Sequence, residues 1–438
     1  MIIVDDALRS REAEGKPIRV GLIGAGFMAR GLTNQIINSV KGMRLMAIYN
    51  RRVEKAISAF QYANETLEPV VAESQDVFED ALRREAPVVT ENVMLLARSP
   101  HIDVLVETTG SVEFGAQVIL EAFKHGKDIV LLNAEIDATI GPILQMYAKK
   151  HKVVLSACDG DEPGVQINLY RWVKGLGLTP RVIGNIKGLQ DPYRNPTTQK
   201  GFAEKWGQNP AMVTSFADGS KISFEQSIAA NATGFVVRSR GMSRGLEYRG
   251  DVMNIGKLYD IDELRSLGGI VDYVVGTPLT KVFVLAEHTD PKQQHYLNLY
   301  KMGEGPLYPF FIPYHLVHFE VPNAIARAVI FRDSVAKPLG GPVVEVCAVA
   351  KRDLKVGETL DEYGNYMTYG EAVNSPEMRI GRYLPEGLVE GCRLVRDIPK
   401  DSVLTYEDVV LPPGRVADKL REEQYAHFAD PVPVGAAR

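Results

Sequence analysis

Between Ile18 and Ser156, short runs of apolar residues alternate with amphipathic stretches. IRVGLI (18–23) predicts a buried strand, followed by a glycine-rich turn and a helix to about Val40. RLMAIYN (44–50) predicts the next strand, and DVLVETTG (103–110) another, followed by an amphipathic helix that Gly126 closes. DIVLLN (128–133) and KVVLS (152–156) complete the series, with a helix over ILQMYAKKH between them. Strands apolar on both faces and separated by helices are the mark of a parallel sheet covered on both sides. The predicted fold class is α/β, a doubly wound Rossmann sheet over residues 1–156.

Beyond Ser156 the pattern loosens. Strand-like SRGLEYRG and DYVVGTPLTKVFVLAEHT stand among longer loops, which predicts an α+β domain over 157–340. From 341 the strands become short and are punctuated by Gly, Pro and Asp, as in a small β-rich domain. Two stretches there, AKRDLKVGETLD (350–361) and LVRDIPKDSVLTYEDV (394–409), share one pattern: apolar, Arg-Asp, apolar, a turn, then Leu and acid. The polar tail from about 413 to 438 is expected to be loosely attached.

Composition narrows the function classes. The chain has 438 residues, with 45% hydrophobic and 24% charged, ordinary values for a globular protein. Fifty basic against 55 acidic residues give a net charge of −5, without any Lys/Arg-rich run, so a nucleic-acid partner is not expected. Cys158, Cys347 and Cys392 are odd in number and far apart, which predicts neither a disulfide framework nor a zinc site. No secretory signal pattern opens the chain, and no apolar run approaches the ~20 residues of a membrane span. A cytoplasmic protein without a membrane partner is expected.

The chemistry begins at Gly24-Ala25-Gly26-Phe27-Met28-Ala29, directly after the first strand and before a helix. In that context a G-x-G-x-x-A turn predicts a dinucleotide site: Gly24 permits the tight turn, Gly26 admits the pyrophosphate to the helix end, and Ala29 allows close packing. The second strand ends in Asn50-Arg51-Arg52 where an NAD site carries an acid for the ribose hydroxyl. Two guanidiniums there would clamp a 2′-phosphate, so the expected cofactor is NADP(H). Thr108, Thr109 and Gly110, at the carboxyl end of DVLVETTG, would border the nicotinamide half.

The next two strand ends supply candidate reacting groups. Asn133 and Glu135 follow one, and Asp159, Asp161 and Glu162 follow the other. Three carboxylates within four residues would repel one another unless a cation or donors compensate. They suit Mg²⁺ or Mn²⁺ polarising a carbonyl, or they simply favour the positive start of a helix near Val165. Lys187, Arg194, Lys200 and Lys205 follow in polar stretches and are candidates to bind a phosphate or carboxylate, or to protonate an alkoxide. His315 and His318 share a spacing compatible with a ligand pair but fit packing better.

VGLIGAGFMARG, DVLVETTGS, LLNAEID and the acidic segment DGDEPGVQ resemble the NAD(P)-binding half of homoserine dehydrogenases. The two look-alike segments near the C-terminus resemble a SAF domain, a small β-clip fold. The combination is similar to 1-deoxy-D-xylulose-5-phosphate reductoisomerase-like proteins. That resemblance implies NADPH-dependent conversion of deoxyxylulose phosphate to methylerythritol phosphate, a divalent metal, a phosphorylated substrate and a homodimer. It assigns the substrate and dimerisation roles to the α+β domain over 157–340. One departure matters: Ala134 follows Asn133 where homoserine dehydrogenases carry a lysine. A catalytic amine must then come from elsewhere, such as Lys187. A dehydrogenase of another small hydroxy acid or sugar derivative is the competing enzyme reading, and a cofactor-sensing or carbohydrate-binding protein is the non-enzyme one.

Overall fold

The computed structural model describes residues 3–276 and 281–428. Its contacts gather the chain into two units, one running to Gly164 and joined by Leu316–Lys337, the other made of Val165–His315 and the chain from Pro338. The return of Leu316–Lys337 to the first unit is not visible in the apolar pattern, which runs that stretch on with the α+β region.

The first unit is built on seven parallel strands, β1 (Ile18–Ile23), β2 (Met43–Tyr49), β3 (Val70–Val71), β4 (Val88–Thr90), β5 (Val104–Glu107), β6 (Asp128–Leu131) and β7 (Leu155–Ala157). Their order is β3-β4-β2-β1-β5-β6-β7, a doubly wound sheet whose direction reverses beside β1. The five strands expected from apolar runs are all present. β3 and β4, two and three residues long, carry too little pattern to be seen in sequence. Helix α1 (Phe27–Ser39) buries Ala29, Leu32 and Ile36 in a core with Val20, Leu22, Val104 and Val106. Helices α2 (Val53–Ala63), α3 (Val112–Lys124) and α4 (Ala134–His151) follow β2, β5 and β6. α4 starts well before the predicted ILQMYAKKH segment, because Asn133 caps it.

Helix α5 (Glu162–Gly175) carries the chain into the second unit. There, β8 (Thr179–Lys187), β9 (Leu246–Glu247), β10 (Ile270–Val275), β11 (Lys281–Glu287) and β12 (Leu307–Ile312) form a mixed sheet ordered β12-β11-β8-β10-β9. SRGLEYRG contributes only the two residues of β9, and the central TPLT of the predicted long strand lies outside the described residues. Helices α6 (Pro196–Trp206) and α7 (Ser220–Thr233) belong to this unit, and α8 (Val317–Ala326) to the first.

The C-terminal part of the second unit holds the ladder β13 (Val344–Ala350) with β14 (Thr368–Asn374), and β15 (Arg393–Leu394) with β16 (Val409–Val410). The two look-alike segments meet each other: Leu354 and Ile398 exchange backbone hydrogen bonds of 2.8 and 2.9 Å. The tail is not loose over its described length. Helix α9 (Val416–His427) buries Ala417, Leu420, Arg421 and Gln424, with Arg421 paired to buried Glu345. Residues 429–438 lie outside the described residues. No helix among the described residues is long and apolar enough to cross a membrane.

Candidate active site

The strand order reverses beside β1, between β2 and β5, and in such sheets ligands are taken beyond the carboxyl ends of the strands at that point. Gly24 closes β1 with φ +109°, a conformation that favours glycine. A Cβ on it would stand 2.6 Å from Thr108 Oγ1, and that hydroxyl donates to the Ile23 carbonyl at 2.8 Å, latching β1 to β5. Gly26 is the N-cap of α1 and brings no side chain to its free amides. Nothing lies within 4 Å of the point where its Cβ would be. The positive end of a 13-residue helix therefore meets open space, a cradle that a side chain would fill and that a pyrophosphate fits. Phe27 and Met28 open that helix, and Phe27 is exposed. Gly31, one turn on, is pressed against His318 of α8, where a Cβ would come within 2.9 Å of the ring.

After β2, Asn50 donates from its amide to the Arg52 carbonyl at 2.8 Å, which shapes the loop. Arg51 and Arg52 are exposed beside it. Glu91 accepts from the Val53 amide at 3.4 Å, so one carboxylate also stands at this helix start.

At the end of β5 the structure gathers residues into a bonded group. Glu107 is wholly buried and accepts from the Thr109 amide at 2.9 Å, from the Thr109 hydroxyl, and from Asn133 Nδ2 at 2.7 Å. Burial pushes its carboxyl up to about 7, against those donors, and the nearby charge of Glu135 adds to the rise. Asn133 also caps α4 through Oδ1 to the Ile136 amide at 3.1 Å. Asn133 and Thr109 thus bond, and Glu135 stands near, a carboxyl acid that sequence reasoning passed over. Its only signal was an acid ending an apolar strand ahead of Thr-Thr-Gly.

The acidic segment after β7 reads differently from the expected metal centre. Asp159 is bound by Arg327, 3.1 Å away and fully buried, and Arg327 also holds Asp333 at 2.8 Å. Gly160, at φ +83°, packs so closely on α8 that a Cβ would meet the Val317 carbonyl at 2.8 Å. Glu162 lies in the first turn of α5, as the helix-start reading predicts. Among the described residues no group of three His, Cys, Asp or Glu is placed to hold a metal. The residues present do not fit a divalent ion, because a guanidinium already neutralises Asp159. Arg327 lies 168 residues away and carries no sequence signal.

In the second unit the four basic candidates separate. Lys187 ends β8 and lies 3.8 Å from Glu225 of α7, both nearly buried. Arg194 pairs with Asp191 at 3.0 Å, Lys200 faces Glu204 on the exposed side of α6, and Lys205 lies 5.1 Å over the exposed Trp206 ring. His318, whose pKa burial lowers, packs on Phe319 with ring centroids 4.3 Å apart. It belongs to the first unit and His315 to the second.

Two family models match this chain. Residues 21–155 match the NAD binding domain of homoserine dehydrogenase, and residues 160–321 match the catalytic domain of oxidoreductase DRL. A homoserine dehydrogenase of Pseudomonas aeruginosa is 24% identical over 171 residues, 37% of this chain and 36% of that protein. The chain therefore matches about a third of the length of that relative. Among solved structures, the 3-ketoreductase KijD10 of Actinomadura kijaniata is 14% identical with a TM-score of 0.37, covering 73% of this chain and 91% of that one. A probable dehydrogenase from Thermotoga maritima is 11% identical with a TM-score of 0.40, covering 74% and 91%. The chain thus combines a seven-stranded doubly wound Rossmann sheet with a stretch similar to an NAD binding domain and a second stretch similar to an oxidoreductase catalytic domain.

Proposed function

We propose that the protein is an NADPH-dependent reductoisomerase that converts 1-deoxy-D-xylulose 5-phosphate to 2-C-methyl-D-erythritol 4-phosphate, working in the cytoplasm as a homodimer. The observation that carries the cofactor half is the open, uncapped start of α1 at Gly26, with Arg51 and Arg52 following β2. Gly24 and Gly26 let the α1 amides hold the pyrophosphate, Arg51 and Arg52 clamp the 2′-phosphate, and Thr108, Thr109 and Gly110 border the nicotinamide. When bound, the cofactor supplies a hydride. The chain's own groups do the rest. Glu107 and Asn133 fix the nicotinamide edge of the crevice through their mutual hydrogen bond. Lys187, 3.8 Å from Glu225, gives a proton to the alkoxide that forms when the aldehyde left by the carbon-skeleton rearrangement is reduced. The DRL match over 160–321 supports an oxidoreductase catalytic role for that stretch, and the choice of substrate rests on the family resemblance. That family's divalent ion finds no fitting ligand set among the described residues, and no step depends on one here.

The competing reading is a dehydrogenase of another small hydroxy acid or sugar derivative, favoured by the homoserine dehydrogenase relative. Position 134 weighs against homoserine itself, since a buried alanine stands beside Asn133 and offers no amine. NADPH oxidation monitored with deoxyxylulose phosphate, and with aspartate semialdehyde in parallel, tests both readings. Turnover of the first alone is expected. Turnover of aspartate semialdehyde alone would replace the proposal.

A further inference from the structure

One face of β8 carries Asn185, a buried side chain without a hydrogen-bond partner among the described residues. Ile183, Asn185 and Lys187 share that face because they alternate along the strand. Ile183 lies in register with Val284 of β11, which is in turn paired with Phe310 of β12, so Phe310 points to the same side. Two helices cover it. Trp172 of α5 meets the Phe310 ring at 5.8 Å, and Tyr170 of α5 meets Phe235 at the same separation. From α7, Glu225 reaches Lys187, so the face made by Ile222, Glu225, Gln226 and Ala229 turns toward β8. The opposite side of α7 is spent elsewhere: Ser223 donates to the Gly370 carbonyl and Asn231 accepts from Val343 and Val344.

Gln166 of α5, Asn185 of β8 and Gln226 of α7 are each no more than 1% exposed. Both polar side-chain atoms of all three lack a hydrogen-bond partner among the described residues. Protein interiors rarely leave such groups unpaired, and three carboxamides together on one element set are not explained by packing. Each carboxamide offers donors and an acceptor, and a hydroxyl group answers both. A phosphate dianion has only acceptors to give, so it would answer the amide N–H groups and leave the three amide oxygens without a donor. An apolar ligand would answer neither.

We infer that Gln166, Asn185 and Gln226 form a binding site for the uncharged, hydroxyl-bearing chain of a small polyol or hydroxycarbonyl compound, with the Lys187–Glu225 pair at its edge. The inference rests on the proposed function, which gives this unit the substrate, and deepens it: these residues read hydroxyls, and a phosphate end is held elsewhere.

The test uses the full chain with NADPH present, and meso-erythritol as the probe in saturation-transfer NMR. 1,4-Butanediol, the same carbon chain lacking two hydroxyls, is the control. Erythritol is expected to bind and butanediol to bind far more weakly. Asn185→Leu, and separately Gln226→Met, should weaken erythritol roughly tenfold, as one or two lost hydrogen bonds imply, with NADPH affinity unchanged. Thermal melts check folding, and Gln166→Met stands in should Asn185→Leu fail to fold. Erythritol binding no better than butanediol, equal binding to native and variant chains, or displacement of erythritol by inorganic phosphate would overturn the inference. Erythritol binding without turnover of deoxyxylulose phosphate would sink the proposed reaction and leave this site standing. Turnover with unchanged KM in the variants would do the reverse.

Discussion

Replacing Arg327 by Met should unfold the first unit far more readily than a surface change would. The guanidinium is wholly buried and bonds Asp159 at 3.1 Å and Asp333 at 2.8 Å. Asp159 is itself only 3% exposed, so methionine would leave a carboxylate stranded in a medium that solvates it poorly. Removing one partner of a buried pair costs about 3–5 kcal/mol. At roughly 2–4 °C per kcal/mol for a unit of this size, the melting temperature should fall by something between 6 and 20 °C. Asp159→Asn alone should cost less, because the arginine keeps Asp333 and can still donate to the amide oxygen. The double variant Asp159→Asn with Arg327→Met should recover part of the loss, a coupling of about 1–3 kcal/mol. Differential scanning fluorimetry, run with and without excess chelator, reads all of these. A loss under about 1 kcal/mol for Arg327→Met would refute the ion-pair account. So would a native chain whose melting temperature falls in chelator, since that would return Asp159 to a metal.

Further outcomes follow from the cofactor crevice and the buried acids. Arg51→Ala and Arg52→Ala should each weaken NADPH by about 1.5–3 kcal/mol and leave NADH nearly unchanged, read by protein fluorescence titration. Equal affinity of the native chain for the two cofactors would remove that assignment. Gly26→Val should abolish binding of both while the chain still folds, because its Cβ would enter open space and not neighbouring atoms. Burial holds Asp137 at about 7, above its unfolded value near 3.8, so its neutral form is the stabilised one. Its contribution is fully present below pH 3.8 and is lost as pH rises through 7. Asp137→Asn should flatten that slope, by at most roughly 4 kcal/mol between pH 4 and 8 in urea melts. Parallel pH profiles of native and variant chains would contradict the shift. Light scattering at micromolar concentration should report a dimer, and a monomer would cancel that part of the proposal.

What the sequence reveals is what short-range physics writes into it. Runs buried on both faces, as in IRVGLI and DVLVE, identify β1 and β5 without any partner in view. The turn at Gly24 needs positive φ, and only a few residue types give it, so the motif is legible from composition alone. Strands of two or three residues, such as Val70–Val71, leave no such trace. Nor do tertiary rescues. Three acids near a strand end look like ligands until Arg327 arrives from the returning segment. The tail helix looks solvent-loving until Arg421 is seen paired to Glu345.

The same distinction explains why the candidate reacting groups were harder to read than the cofactor turn. A phosphate cradle is made of backbone, and its glycines are fixed by geometry. Glu107 gains its character from burial and from Thr109 and Asn133, and the latter lies 26 residues away. Lys187 differs from Lys200 and Lys205 only because β8 carries it inward to Glu225, whereas α6 turns the others to solvent. Residue type and spacing are alike in all three lysines. Local sequence therefore writes the glycine turn after β1 legibly, whereas the character of Lys187 depends on which side chains the second unit's sheet buries.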